Sequence, residues 1–190
     1  MPKKAPTLPI LLASTWATLV CGLALATAQW STQPKESTLT FVGTQAGAQF
    51  EGGFDEFTAD IRFDPQDLPG SRFDVSIDVA SVNSRDSERD DMIRGPDLFA
   101  AKQFPKARYV AESFTAKGGG KYAATGKLTL RNVTRDVPLE FTFEKKDQGA
   151  WLKGAAQLNR LDFGVGQGEW KDTEAVANRV QVRFALLLKQ

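Results

Sequence analysis

The chain has 190 residues, 42% hydrophobic and 25% charged, a composition of ordinary folded protein that excludes a disordered tail. Its 24 basic and 23 acidic residues give a formal charge of +1, and without Lys3 and Lys4 the rest carries 22 against 23, or −1. So even a balance offers no electrostatic basis for binding nucleic acid or an anionic membrane surface.

The chain opens Met1-Pro2-Lys3-Lys4, runs through an apolar stretch over residues 8–25, and reaches Ala26-Thr27-Ala28. A basic start, an apolar middle and a small-x-small end read as a signal peptide over residues 1–28, cleaved after Ala28. The stretch is also near the ~18 to 20 residues that span a bilayer. The alternative is therefore an N-terminal anchor in the inner membrane, with the rest facing the periplasm. In both readings residues 29–190 form one periplasmic domain. The only cysteine, Cys21, lies inside the leader, so that domain has no disulfide and must rest on its core.

Beyond Ser37 the hydrophobic pattern has period two, the mark of strands with one buried face. Phe57, Ala59, Ile61 and Phe63 alternate with Thr58, Asp60, Arg62 and Asp64, and Phe73, Val75, Ile77 and Val79 repeat the pattern. Leu128 and Leu130, then Leu139, Phe141 and Phe143, then Val180, Val182, Phe184 and Leu186 follow it too. Residues 39–42, 107–114 and 151–158 fit alternation less cleanly but suit strands better than helices. Turn residues cluster at 64–70, 117–120, 132–136 and 147–149. Residues 86–94 are helix formers, with Ser87 as a candidate N-cap and Gly95 as a stop, and 96–102 adds a turn with Leu98 and Phe99 on one side. This segment is either a lid at one end of the fold or a surface connection covering its open end. Eight strand candidates without strand–helix alternation predict an all-β antiparallel barrel or sandwich with one short helical segment around residues 86–102.

The chemistry available is sparse. Histidine is absent and the exported part has no cysteine, so the commonest general base, metal ligand and thiol nucleophile are all missing. Asp86, Glu88, Asp90 and Asp91 are interleaved with Arg85, Arg89 and Arg94, which marks a solvated face. Gly164-Val165-Gly166-Gln167-Gly168 lacks the Gly-Lys-Ser/Thr of a phosphate loop and reads as a turn-rich connection. No catalytic residue, metal site or cofactor is expected. Apolar capacity remains: Phe, Trp and Tyr make up 10% of the chain, mostly on inward strand positions. An eight-stranded barrel is either just filled by its side chains or just wide enough for one slender ligand. Alternation alone leaves both open.

Ordered landmarks carry a family resemblance. They are Ser37-Thr38-Leu39-Thr40-Phe41, Phe54-Asp55-Glu56-Phe57 with Ile61-Arg62-Phe63-Asp64-Pro65, and Ser81-Val82-Asn83-Ser84. Gly95-Pro96-Asp97-Leu98-Phe99, Gly126-Lys127-Leu128-Thr129-Leu130-Arg131-Asn132-Val133-Thr134 and Arg160-Leu161-Asp162-Phe163-Gly164 complete the series. In this order, over residues 30–190, they resemble the YceI family. The resemblance implies a lipocalin-like eight-stranded barrel that holds a long isoprenoid lipid without catalysis. Phe41-Val42-Gly43-Thr44-Gln45 and Gly166-Gln167-Gly168-Glu169-Trp170 resemble the version found beside b561-type membrane cytochromes, which implies a quinone-like ligand and such a cytochrome as a partner. The competing reading is a non-catalytic module with a closed core that docks on that cytochrome. Many relatives carry a His shortly after the first strand, where this chain has residues 45–49 without one. Together, alternation and resemblance make Phe41, Phe57, Ile61, Phe63, Val75, Ile77, Leu128, Leu130, Phe141, Phe143, Ala156, Phe163, Trp170 and Phe184 the expected ligand contacts. The small Gly154 and Ala156 would leave room for a chain to thread. Nothing in the sequence separates a monomer from a dimer.

Overall fold

A computed structural model describes Met1 and residues 28–190 of the protein; the leader reading, with Cys21, falls on residues outside the described ones. The strands are β1 (Gln29–Thr32), β2 (Thr38–Gln45), β3 (Ala48–Phe54), β4 (Phe57–Arg62), β5 (Arg72–Asp78) and β6 (Val82–Asn83). After helix α1 (Ser87–Arg94) come β7 (Lys106–Gly118), β8 (Lys121–Leu130), β9 (Val133–Lys146), β10 (Gly149–Asn159) and β11 (Arg179–Lys189). Every pairing is antiparallel, in the order β1-β4-β5-β7-β8-β9-β10-β11-β2-β3-β6. β1 pairs with β4 through Trp30 and Ile61, and with β11 through Thr32 and Leu188, which closes the ring. β1 and β2, β3 and β4, and β5 and β6 are halves of three bent wall strands, so the wall is a closed eight-stranded antiparallel barrel.

The irregular sequence stretches have local causes. In β7 the register slips between Ala111 and Ser113, leaving Glu112 as an extra residue. That bulge shifts the phase, so Ala111 and then Phe114 face inward in a run that breaks simple alternation. In β10 the inward positions include Gly154 and Ala156, whose small side chains hide the pattern. β3 was not expected, because Glu51, Gly52 and Gly53 interrupt its apolar positions. The predicted turn at 132–136 is shorter: only Arg131 and Asn132 take left-handed backbone, at φ 50° and 59°, and Asp136 lies inside β9. The helix cap lies one residue earlier than expected, and Ser87 is the first helical residue. Asp86, not Ser87, accepts the Arg89 N–H, because Asp86 holds the extended conformation that a cap needs.

The interior has two parts. At one end Phe63, fully buried, meets Phe73, Phe114, Tyr122, Phe141 and Phe143 at centroid distances of 5.0–5.9 Å, mostly edge to face. Trp30 packs edge-on to Phe143 and donates its indole N–H to the Phe63 carbonyl at 2.9 Å. Edge-to-face pairs suit the ring quadrupole, so this end is solid. The other apolar cluster joins Phe41, Val79, Ile93, Leu98, Leu128, Leu130 and Phe163 below α1 and the 96–104 turns. Outside, Asp74 lies between Arg72 and Arg108, and the Arg108 hydrogen bonds hold its carboxyl below the usual 3.8.

The two parts differ in what a truncation removes. Phe63→Ala should lower unfolding free energy by about 3 to 5 kcal/mol, the range for a large ring lost from a close-packed site. Phe57→Ala, at a ring only partly buried on the margin of the aromatic cluster, should cost less than half of that. Urea titrations of both variants check this; equal losses would mean that the interior is uniformly packed.

Candidate functional site

Between the aromatic end and the helical segment the barrel encloses a cavity of about 230 Å³. β4 and β5 supply Phe57, Ile61, Phe73, Val75 and Ile77, while β10 and β11 supply Leu152, Ala156, Leu158, Val180, Val182, Phe184 and Leu186. Leu39, Phe41, Phe50 and Phe54 come from β2 and β3, and Leu128, Leu130, Val137 and Leu139 from β8 and β9. Ile93, Leu98 and Phe99 roof it, so the 86–104 segment covers this end of the lumen, as both sequence readings of it require. Phe99 meets Phe54 at 5.9 Å, and Phe54 meets Phe41 at 5.6 Å, which docks the lid on the β2–β3 hairpin.

Polar groups hold this lid from outside. Arg94 donates to the carbonyls of Ala80 and Val82, at 2.8 and 2.7 Å, and Arg131 donates to those of Pro96 and Leu98. The N–H groups of Gly166 and Gln167 both bond the Asp97 carbonyl, at 2.9 and 2.8 Å. Arg89 lies over the Phe50 ring, 4.7 Å from its centroid.

Within the wall, two side chains carry polar groups, Tyr109 and Arg160. Tyr109 donates its hydroxyl to the Val137 carbonyl at 3.0 Å, and burial pushes its phenol pKa upward, so it stays neutral. Arg160, 4% exposed, donates to three carbonyls, and burial lowers its pKa. No cluster of His, Cys, Asp or Glu suited to a metal exists among the described residues.

The fourteen expected contacts divide between wall and core. Phe41, Phe57, Ile61, Val75, Ile77, Leu128, Leu130, Ala156 and Phe184 stand on the cavity wall. Phe63, Phe141 and Phe143 sit in the solid aromatic end instead. Alternation tells which face a side chain takes, not how far along the barrel it sits. Phe163 is buried in the cluster with Leu98 and Val165, and Trp170, half-buried in a short turn at Gly168–Lys171, packs against that cluster; neither lines the cavity. The space expected beside Gly154 is occupied, since a Cβ there would lie 2.6 Å from Phe184 Cζ and 2.4 Å from the Glu140 carbonyl oxygen. Phe50, Leu158, Val176 and Ala177 also stand on the wall and were not among the expected contacts, nor was Arg160, which the sequence marks only as part of a landmark. Phe50, Gly52 and Phe54 do keep period two, a signal that could have revealed β3.

Glycines set the width of the lumen. Phe41 pairs across strands with Gly52, and Gly43 with Phe50. Each ring covers the opposing glycine so closely that an added Cβ would stand 2.6 Å from Phe41 Cζ at Gly52 and 2.8 Å from the Phe50 ring at Gly43. Tyr109 covers Gly126 and Phe184 covers Gly154 in the same way. Rings that would otherwise project inward rest on the wall. A void of this size, left empty, forfeits roughly 5 kcal/mol at ~24 cal/mol per Å³. That is comparable with the whole net stability of many domains, ~5 to 15 kcal/mol. The chain meets this cost with an apolar hollow larger than the ~150 Å³ cavity that takes up benzene.

Gly52→Ala tests the arrangement. Its methyl would push the Phe41 ring into the lumen, whose far end can move, so stability should change by under about 1 kcal/mol. Uptake of an apolar fluorophore such as 1-aminoanthracene should fall severalfold. Unchanged uptake would mean that Phe41 does not set the width.

Comparison with known proteins agrees with this architecture. The YceI-like domain family matches residues 30–188. The crystal structure of Burkholderia cenocepacia BcnA is 34% identical, with a TM-score of 0.80 over 83% of this chain and 99% of that one. A Saccharophagus degradans polyisoprenoid-binding domain superposes with a TM-score of 0.65 over 84% of this chain and 97% of that one, at 14% identity, a likeness of fold alone. A UPF0312 protein of Vibrio parahaemolyticus is 29% identical over 153 residues, 75% of this chain and 81% of the relative. With a family match across nearly the whole barrel and these neighbours sharing its closed architecture, the chain belongs to the YceI family.

Proposed function

We propose that this protein is an exported, non-catalytic carrier or scavenger of an isoprenoid-type lipid, polyprenyl or quinone-like, held by its tail in the barrel lumen. The observation that carries the reading is the roofed apolar cavity of about 230 Å³. A flexible hydrocarbon gains about 0.8 kcal/mol per buried CH₂, so such a lumen needs no polar contact to hold a tail. The polyisoprenoid-binding description of the Saccharophagus degradans neighbour supports the same ligand class. Export rests on Lys3-Lys4, the apolar run and Ala26-Thr27-Ala28. The lid over residues 86–104 is the natural point of entry, because it covers the lumen through side chains rather than a continuous strand pairing.

Two linked measurements test the carrier. Protein purified from the periplasm of its own host should release a lipid of isoprenoid mass on organic extraction. Ala156→Phe, placed on the wall, should abolish that co-purification and leave the melting temperature equal or higher, because it fills space that is vacant. A lowered melting temperature with no lipid from either form would favour the interaction module with a closed core.

A further inference from the structure

The cavity wall carries one charged side chain, Arg160, at the start of the short turn Arg160–Phe163 that follows β10. Its environment is unusual for a cation. Nε donates to the Ala177 carbonyl at 3.1 Å, Nη1 to Val165 at 2.9 Å and Nη2 to Val176 at 2.6 Å. Among the described residues no carboxylate is paired with it. A guanidinium has five N–H donors, so three bonds leave two donors uncommitted. Its full charge is unneutralised in a wall otherwise made of hydrocarbon, Tyr109 apart.

The chain goes to some length to keep the guanidinium there. Gly166, at φ 119°, passes so close that a Cβ would stand 1.9 Å from Arg160 Nη1, so only glycine lets the loop close over it. If the sole task were to clasp residues 165–177, neutral side chains and turns could bond those carbonyls without burying a charge, which is costly unless it is paired. A buried, unpaired guanidinium with spare donors is instead matched to an oxyanion, which it binds through a charge-assisted fork.

We propose that Arg160 is the head-group contact of the lumen, selecting isoprenoids whose terminus bears an oxyanion, a phosphate or carboxylate, with the tail running toward Leu152 and Leu186. This rests on the carrier reading and adds the class of ligand it takes. The ligand lies with its charged end beside the 164–177 loop and its tail against the aromatic end of the barrel.

Calorimetric titration of three probes with the same tail tests it: farnesyl monophosphate, farnesol and farnesene. The wild-type protein should bind the phosphate about tenfold or more tighter than farnesol, the scale of one hydrogen bond to a charged group. In Arg160→Gln that ratio should fall to about one to two. Arg160→Lys keeps the charge without the fork and should retain only part of the advantage; it carries the comparison if the Gln variant does not fold. Equal binding of phosphate and alcohol by the wild type, or an unchanged ratio in a folded variant that weakens all probes alike, would overturn the assignment and leave Arg160 a clasp of the loop. Binding of farnesene and farnesol in those cases would leave the carrier reading standing, whereas no binding of any probe would overturn both.

Discussion

The hollow depends on glycines set opposite aromatic rings, because a ring that covers bare backbone lies along the wall instead of across the lumen. Around Phe63 the rings meet edge to face and leave no gap. Further along, Phe41 lies over Gly52, Phe50 over Gly43 and Phe184 over Gly154, each where a Cβ would collide. The same residue type therefore fills one end and lines the other. The two ends differ in how the rings converge: around Phe63 they pack against one another, whereas along the hollow Phe41, Phe50 and Phe184 lie back on the wall. Antiparallel register makes this possible, because directly opposed residues share a face and a glycine can be set against the ring it must receive.

The lid is built on a second division, between what faces the lumen and what fastens the segment down. Ile93, Leu98 and Phe99 give the roof its apolar underside. The fastening falls to Arg94 and Arg131, which reach backbone carbonyls, and to the amides of Gly166 and Gln167 on Asp97. Such bonds sit at the edges of the roof and contribute modestly each, about 0.5 to 1.5 kcal/mol, or up to about 3 with a charged donor. The roof is separate from the Phe63 packing at the opposite end, since Ile93, Leu98 and Ala101 are buried in the other cluster. The loop that holds Asp97 also closes over Arg160, so lid and charged wall position share one piece of chain.

Much of the fold was legible because period two is a strong signal wherever large apolar residues alternate with charges, as in β4, β5 and β11. It faded where the physics did not require contrast. β7 hides its phase behind the Glu112 bulge, β10 uses glycine and alanine on its inner face, and β3 breaks its apolar run with two glycines, of which Gly52 lies under the Phe41 ring. The candidate site was half legible. Alternation assigned Phe141 and Phe57 to the same face, yet one is packed into the solid end and the other lines the hollow. Height along a barrel depends on shear between strands, which no local pattern encodes. Arg160 stood in a sequence landmark, but its place on the wall was not legible, because the carbonyls from residues 165–177 that hold it are brought to it only by the fold.

Whether the hollow holds an isoprenoid tail can be read from thermal stabilisation by a series of polyprenyl chains of increasing length. A lumen of fixed size predicts that stabilisation rises with each added isoprene unit, since every buried CH₂ contributes about 0.8 kcal/mol, and then levels off once the hollow and its outlet are filled. Stabilisation independent of chain length, or none at any length, would contradict the account.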